Sequence, residues 1–218
     1  MTGKNILLST AYFAPIQYYS EFLKADKVYI EQFENFIKQT YRNRCVILGG
    51  NGPIQLIVPV VKGRGAKILI KDLKISYDTD WQRNHWRTIF SAYNSSPFFE
   101  YYKDDIWPFF EKKYVFLLDF NMQIHKIICE LLEIENIAVL TEDFEKVPES
   151  TLNFRESISP KNKKHIADDF MPVNYTQVFS DKLGFVPNLS ILDLLFNEGP
   201  NSFSILEVST SKTGFSSR

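Results

Sequence analysis

The sequence has little of what would assign it to a common functional class. It contains only 2 cysteines, Cys45 and Cys129, which lie far apart and form no Cys-x-x-Cys pair, and only 3 histidines. No His, Cys or carboxylate pair has the spacing of metal ligands. We therefore predict reduced thiols, no metal site and no cofactor.

Long apolar runs and an excess of charge are also missing. No apolar run approaches the roughly 18 residues that suggest a membrane-spanning helix, and the N-terminal residues, interrupted by Ser9, Thr10 and Pro15, do not resemble a secretory signal. The formal net charge is −1, which gives no reason to expect nucleic acid as a partner. We expect a cytoplasmic protein with no membrane span and no nucleic-acid partner.

Aromatic residues are plentiful, with 19 Phe and 11 Tyr beside only 9 Gly. The simplest explanation for most of the Phe is a Phe-rich core. Tyrosine differs, because a buried phenol hydroxyl needs a hydrogen-bond partner. Tyrosines gathered in one region therefore suggest either internal hydrogen bonds or a polar ligand.

Hydrophobic patterning predicts an α/β fold whose mixed sheet opens with a β-α-β unit. Residues 6–12 form a short apolar run, residues 17–25 have helical spacing, and residues 28–31 form a second strand, which suggests a parallel pair. "RCVILGGNGPIQLIVPVV" is typical of a hairpin, since its Gly-Gly-Asn-Gly tolerates positive φ. "KILIKDLKISY" predicts one more strand, bent in the middle.

The middle of the chain, about residues 80–133, is predicted to be helical. Thr79 or Asp80 caps a helix to about Tyr93, a short helix follows Pro97, and Asp119 caps a third helix. "IAVLT" then predicts a returning strand, and residues 142–178 a loop. "NLSILDLLFNEG" predicts a capped helix, so we expect one domain over 1–200 and a flexible tail over 201–218.

The strongest local signal for binding is Tyr41-Arg42-Asn43-Arg44. In a strand, Arg42 and Arg44 share one face, about 7 Å apart, where two planar guanidiniums suit a phosphate or carboxylate. Asn43 faces the other side beside Cys45 and serves as a hydrogen-bonding group of the core or as a ligand contact. A solvated edge strand with paired charges is the alternative.

"YFAPIQYY" predicts a junction between a strand and a helix. The first turn of a helix carries free N–H groups and the positive dipole end, so this junction is a possible anion site. Tyr12, Gln17 and Tyr18 lie where they could contact a ligand at the carboxyl end of the first strand. Pro15 is also expected there simply because a helix begins.

The histidines offer one candidate for proton transfer. His85 shares a helix face with Trp81, Ile89 and Tyr93, so it is either a structural residue or the general base. His125 is expected to be solvated.

A second basic cluster follows residue 154. It is either a solvated loop or a mobile lid over an anionic ligand, and His165 is expected to lie exposed within it. Its members are Arg155, Lys161, Lys163 and Lys164.

Five stretches follow one another along the chain: "YFAPIQYYSEFLKADKVYI", "YRNRCVI", "IVPV", "WQRNHWRTIFSAYNSSPFF" and "GFVPNLSILDLLFNEG". Together and in this order, they resemble the WbqC-like family of bacteria over nearly the whole chain. The resemblance implies a role in O-antigen or related surface-glycan synthesis. Members commonly begin with His-Gln-Pro, where this sequence has Ser9-Thr10-Ala11, and the glycine-rich segment often found before "YTQVF" is missing. The opening is also similar in layout to nucleotidylyltransferases and pantothenate synthetases, without their His-x-Gly-His.

Two functional hypotheses follow. In the first, the protein is a transferase that acts on a nucleotide-sugar or similar anionic small molecule, held by Arg42 and Arg44, oriented by Tyr12, Gln17 and Tyr18, and deprotonated by His85. In the second, it is a non-catalytic binding or assembly protein of a glycan-biosynthesis complex.

Overall fold

The β-α-β opening indicated by the apolar pattern is present. A computed structural model describes residues 4–61, 67–144, 151–160 and 170–211 of the chain. Strand β1 (Lys4–Ser9) leads into helix α1 (Ile16–Leu23), which leads into strand β2 (Ala25–Glu31). The two strands pair in parallel, with Ile6 opposite Val28. The β-α-β prediction is therefore confirmed.

The main sheet has four strands, all parallel. Strand β5 (Ala138–Leu140) pairs with β2, strand β6 (Thr151–Asn153) pairs with β1, and the order is β5-β2-β1-β6. The centre of β1 is buried, as expected for a parallel strand covered on both faces. The predicted α/β class is confirmed. The main sheet contains only parallel pairs, and the antiparallel pairs form separate two-stranded sheets.

One of these small sheets is the expected hairpin. Strand β3 (Arg44–Gly49) and strand β4 (Gly52–Ile57) are antiparallel, and Gly52 has a φ of 118°, which explains the glycine at this turn. The other pairs β7 (Phe170–Met171) with β8 (Thr210–Ser211). The prediction of a strand over "KILIKDLKISY" is wrong. Ile70–Asp72 form a 3-10 turn, and the flanking residues Leu69, Lys74 and Ile75 make only single β-bridges.

The helical middle portion is confirmed. It contains α2 (Trp81–Tyr93), α3 (Phe99–Ile106), the single turn α4 (Pro108–Glu111) and α5 (Leu117–Leu131). Asp119 is not a cap, because α5 begins at Leu117 and places Asp119 in its first turn. The aromatic side chains Phe13, Phe99, Phe120 and Phe196 are fully buried, as a Phe-rich core requires.

The C-terminal part contains α6 (Ser180–Leu183), α7 (Ile191–Glu198) and α8 (Ser202–Val208). As expected, Ser190 caps α7 by accepting a hydrogen bond from Leu192 N, and Gly199 ends it with a φ of 54°. The sequence predicts a flexible tail from residue 201, whereas residues 202–208 form α8. None of the helices in the described ranges has both the length and the apolar character of a membrane span.

Candidate functional site

The carboxyl ends of the four parallel strands meet at one edge of the sheet, and each end carries polar side chains. Strand β1 ends at Ser9 and is followed by Thr10, and strand β2 ends at Glu31. Strand β5 is followed by Thr141, and strand β6 ends at Asn153. Strand β6 lies on the opposite side of β1 from β2 and β5. Open α/β sheets bind ligands at the point where the strand order reverses in this way. That point lies between β1 and β6.

Glu31 is fully buried and joins three of the strand ends. Its Oε1 accepts hydrogen bonds from Thr141 Oγ1 at 3.0 Å and from Phe33 N at 2.8 Å. Its Oε2 accepts a hydrogen bond from Arg155 Nη1 at 3.1 Å. A carboxylate buried among three donors is held in one orientation, so Glu31 fixes the guanidinium of Arg155 at the edge of the sheet.

Arg155 is positioned from a second side as well. Its Nε and its backbone N both donate to Asn153 Oδ1 at 3.1 Å, and its backbone O accepts a hydrogen bond from Ser9 Oγ at 3.2 Å. Arg155 therefore links the ends of β6, β1 and β2.

Arg42 forms a second buried ion pair beside this network. Its Nε donates to Glu34 Oε1 at 2.7 Å and its Nη2 to Glu34 Oε2 at 2.5 Å, and its backbone O accepts a hydrogen bond from Asn121 Nδ2 at 2.8 Å. Both side chains of the pair are at least nine-tenths buried. The bidentate geometry holds the guanidinium in one plane.

A cleft lies between the ends of β1 and β6. The unfilled space within it is about 260 Å³ including the open mouth, and its inner part has room for about one water molecule. The polar side chains that line it are Ser9, Thr10, Tyr18, Tyr41, Arg42 and Arg155. The cleft in this structure is therefore narrow inside and open at its mouth.

One hydroxyl group of this lining is fully buried and has no hydrogen-bond partner among the described residues, that of Thr10. Tyr18 and Tyr41 belong to the same lining and are also buried. Burial raises the pKa of Tyr41 to about 12 and raises that of Tyr18 well above its usual value. Both phenols therefore remain protonated at neutral pH and can donate a hydrogen bond.

The sequence-predicted residues separate into two groups. Tyr18, Tyr41 and Arg42 line the cleft together, although Arg42 and Arg44 do not share a strand face. The strand prediction for these residues is wrong because Tyr41–Asn43 form a 3-10 turn and β3 begins only at Arg44. Arg44 lies outside the cleft lining, and its Nη1 donates to Gln55 on the neighbouring strand at 3.0 Å.

Asn43 and Gln17 hold the chain together instead of lining the cleft. Asn43 Nδ2 donates to Val58 O at 2.8 Å, and Gln17 Oε1 accepts a hydrogen bond from Asn188 Nδ2 at 3.2 Å.

The start of helix α1 is closed by hydrogen bonds within the protein. Ile16 N donates to Leu189 O, Gln17 N to Asn188 Oδ1 and Tyr18 N to Pro15 O, each at 2.9 Å. These amides are therefore occupied, and the anion site that the sequence suggests at this helix start is not available.

Tyr12 and His85 form a buried pair away from the cleft lining. The Tyr12 hydroxyl and His85 Nδ1 are 3.0 Å apart, and the imidazole ring packs against Trp81. Burial lowers the pKa of His85 to about 4, so the ring is neutral at pH 7. This geometry matches the structural interpretation of His85 better than the role of a general base.

His125 is buried, so the prediction that it is solvated is wrong. Its ring stacks on Tyr19, contacts Phe22 edge to face, and has a pKa lowered by burial to about 4. Three further residues of the predicted basic cluster, Lys161 among them, and His165 lie outside the described residues. In the part of the chain that the structure describes, no group of His, Cys, Asp and Glu is arranged to hold a metal ion.

Asp193 forms a polar cluster of its own within the core. Its carboxylate accepts hydrogen bonds from Tyr93 Oη at 2.8 Å, Tyr175 Oη at 2.6 Å and Gln177 Nε2 at 2.8 Å. Burial raises its pKa, and these three donors partly offset that rise. Because the donors surround the carboxylate, we assign Asp193 to holding α7 against α2 and the segment before α6.

Sequence reasoning missed the acidic half of the site. A usable signal was present, since Glu31 and Thr141 both come directly after apolar strand residues, where the carboxyl edge of a parallel sheet is expected. Thr10 has the same position after β1. Glu34 has no such signal, because its pairing with Arg42 depends on the 3-10 turn.

Comparison with known proteins agrees with the motifs of the sequence. The model of the WbqC-like protein family matches residues 10–163 and 156–205. The chain is 28% identical over 218 residues to the uncharacterized protein Rv1507c of Mycobacterium tuberculosis (strain ATCC 25618 / H37Rv). The aligned region covers 89% of this chain and 91% of that protein. No solved structure matches the chain significantly.

Proposed function

The chain belongs to the WbqC-like protein family, and from that premise we propose that it is an enzyme of surface-polysaccharide synthesis of the O-antigen type. It acts by group transfer on an activated sugar or a similar anionic metabolite. The ligand binds in the cleft between the ends of β1 and β6.

One observation carries this proposal. Polar side chains from the ends of β1 and β6 line a cleft at the position where the strand order reverses, and the hydroxyl of Thr10 is buried there without a partner in the described protein. Buried polar groups without partners are rare in native proteins and call for an explanation such as a bound ligand. A sugar, with several hydroxyl groups, offers both donors and acceptors to them.

In such a transfer, the bond between the sugar and the phosphate oxygen of the donor breaks, and the acceptor oxygen forms the new bond to the sugar. The nucleotide departs with the bonding electrons, and the acceptor hydroxyl loses its proton to a base. We do not place that base at His85, because its ring is buried beside Tyr12 and lies off the cleft lining.

The second candidate is a non-catalytic binding or assembly protein of the same biosynthetic system. It is favoured by the state of the ionisable groups around the cleft. Glu31 and Glu34 are both engaged in buried ion pairs, so the oxygens of both carboxylates already accept hydrogen bonds from arginine. This candidate predicts ligand or partner binding without turnover.

A thermal-shift screen across nucleotide-sugars, acyl carriers and amino acids tests the proposal. At ten times its dissociation constant, a ligand of the cleft is expected to raise Tm by about 3–6 °C. Ala11 lines the cleft, so Ala11→Leu should fill it and abolish the shift. Ala25→Leu is the matched control, because Ala25 lies at the start of β2, at the opposite edge of the sheet.

Incubation of the stabilising ligand with candidate acceptors, followed by phosphorus NMR, separates the two candidates. Release of nucleotide that Ala11→Leu abolishes supports the enzyme. A shift without turnover supports the binding protein, and the absence of any shift across the screen contradicts both uses of the cleft.

A further inference from the structure

The described part of the cleft has no net charge to offer a phosphate. Glu34 neutralises Arg42 through two hydrogen bonds, and Glu31 neutralises Arg155. A multiply charged pyrophosphate placed here would lose its hydration and would meet two carboxylates together with two guanidiniums. Burial of an uncompensated charge is strongly unfavourable.

The groups that remain available are neutral hydroxyls. Thr10, Tyr18 and Tyr41 are each more than nine-tenths buried, and Thr10 Oγ1 has no partner among the described residues. Thr10 can donate and accept a hydrogen bond, and the protonated phenols of Tyr18 and Tyr41 can donate. Phe154 and Ile158 add apolar surface to the same lining.

We infer that the neutral, hydroxyl-bearing sugar portion of the ligand binds at the open mouth of the cleft, with one hydroxyl entering the inner part beside Thr10, and that the phosphates stay outside the described lining, with Thr10, Tyr18 and Tyr41 as the residues that determine specificity. This inference rests on the proposed function and deepens it. A neutral polyol suits a site whose charges are already paired, because its hydroxyls satisfy buried donors and acceptors without adding a charge. The narrow inner part admits a single hydroxyl or similar small group.

The test compares ligands that differ only in the sugar. Isothermal titration calorimetry is carried out with UDP-glucose and UDP, GDP-mannose and GDP, dTDP-rhamnose and dTDP, and the methyl glycosides of the same sugars. The wild-type protein should bind at least one nucleotide-sugar more tightly than its nucleoside diphosphate. Saturation-transfer NMR should show the strongest contacts at the sugar-ring protons.

Two single-group variants sharpen the comparison. Thr10→Val and Tyr41→Phe each remove one hydroxyl, and each should weaken binding of the nucleotide-sugar by about three- to tenfold. Binding of the nucleoside diphosphate should change less than twofold. Tyr101→Phe is the matched control, because Tyr101 is 74% exposed and lies outside the cleft lining. Thr10→Val should also keep or raise Tm, since it removes a buried hydroxyl without a partner.

The outcomes separate this inference from the function on which it rests. Equal losses for the nucleotide-sugar and the nucleoside diphosphate would place the phosphates in the cleft and overturn the inference. Binding of methyl glycosides without any nucleotide-sugar would support hydroxyl recognition and contradict an activated-sugar substrate. If the wild-type protein binds none of these ligands, the inference is wrong.

Discussion

Replacement of Arg42 by alanine is expected to lower the free energy of unfolding by about 3–5 kcal/mol. The variant leaves Glu34 buried, with its carboxylate deprived of the two hydrogen bonds that Arg42 now donates. Such a loss is a large share of the about 5–15 kcal/mol that stabilises a typical domain. Urea denaturation followed by circular dichroism measures it directly.

Two controls test the cause of this loss. The double variant Arg42→Met with Glu34→Met removes both charges, so it should recover most of the stability that Arg42→Ala loses. Arg44→Ala removes a neighbouring guanidinium that is only partly buried and bonded to Gln55. It should cost less than about 1 kcal/mol. Equal losses for Arg42→Ala and Arg44→Ala would show that the buried pair has no special role in stability.

This expectation changes how Arg42 should be tested for ligand binding. If Arg42 and Arg44 shared a strand face and held an anion, as the sequence suggests, alanine at either position would remove a ligand contact with little effect on stability. In the structure, Arg42 stabilises the fold through Glu34, so a loss of binding in Arg42→Ala would not distinguish a ligand contact from local unfolding. Thr10→Val and Tyr41→Phe are cleaner probes, because each removes one hydroxyl of the cleft lining and breaks no ion pair.

Acidification is expected to destabilise the protein strongly through His85 and His125. Burial lowers the pKa of both rings from about 6.5 to about 4. Between these two pKa values, each histidine binds a proton in the unfolded chain but not in the folded protein. The contribution of the two rings to the free energy of unfolding is therefore fully present above pH 6.5 and is lost as the pH falls towards 4. At 1.36 kcal/mol per pH unit, each ring contributes a loss of about 3 kcal/mol, and both together about 6 kcal/mol.

The measurement is the free energy of unfolding between pH 7 and pH 4 for the wild-type protein, His85→Gln and His125→Gln. Each variant removes one titrating group, so its stability should fall less steeply with acid than that of the wild type, whatever its stability at pH 7. His165 lies outside the described residues, and His165→Gln serves as a histidine comparison. Parallel pH curves for the wild type, His85→Gln and His125→Gln would contradict the proposed burial effect.

Much of the fold is predictable because it depends on neighbours along the chain. The helix that begins at Ile16, the helical middle portion and the cap at Ser190 follow from hydrophobic spacing and from local hydrogen bonds. The hairpin follows from a glycine-rich turn that permits the φ of 118° at Gly52. These signals act over a few residues, and packing against the rest of the protein does not alter them.

The candidate site is predictable only in its position. The rule that ligands bind beyond the carboxyl ends of parallel strands directs attention to the residues after β1, and the tyrosine-rich segment contributes Tyr18 and Tyr41. The rule does not identify which charges pair. Alternation along a strand places Arg42 beside Arg44, but a 3-10 turn rotates Arg42 towards Glu34 instead.

Short-range pattern was enough to place the β-α-β opening, the hairpin, most of the helices and the α/β class, because steric preference and hydrophobic periodicity act between residues a few positions apart. It did not place β6 or α8, which lie in stretches predicted as loop and tail. The chemistry of the cleft depended on long-range packing. Arg155 meets Glu31, 124 positions away, only because β6 pairs beside β1 and brings the two strand ends together. The same packing buries the Thr10 hydroxyl without giving it a partner in the described chain. Desolvation and pairing depend on the whole three-dimensional surroundings of a group, and no local stretch of sequence contains them.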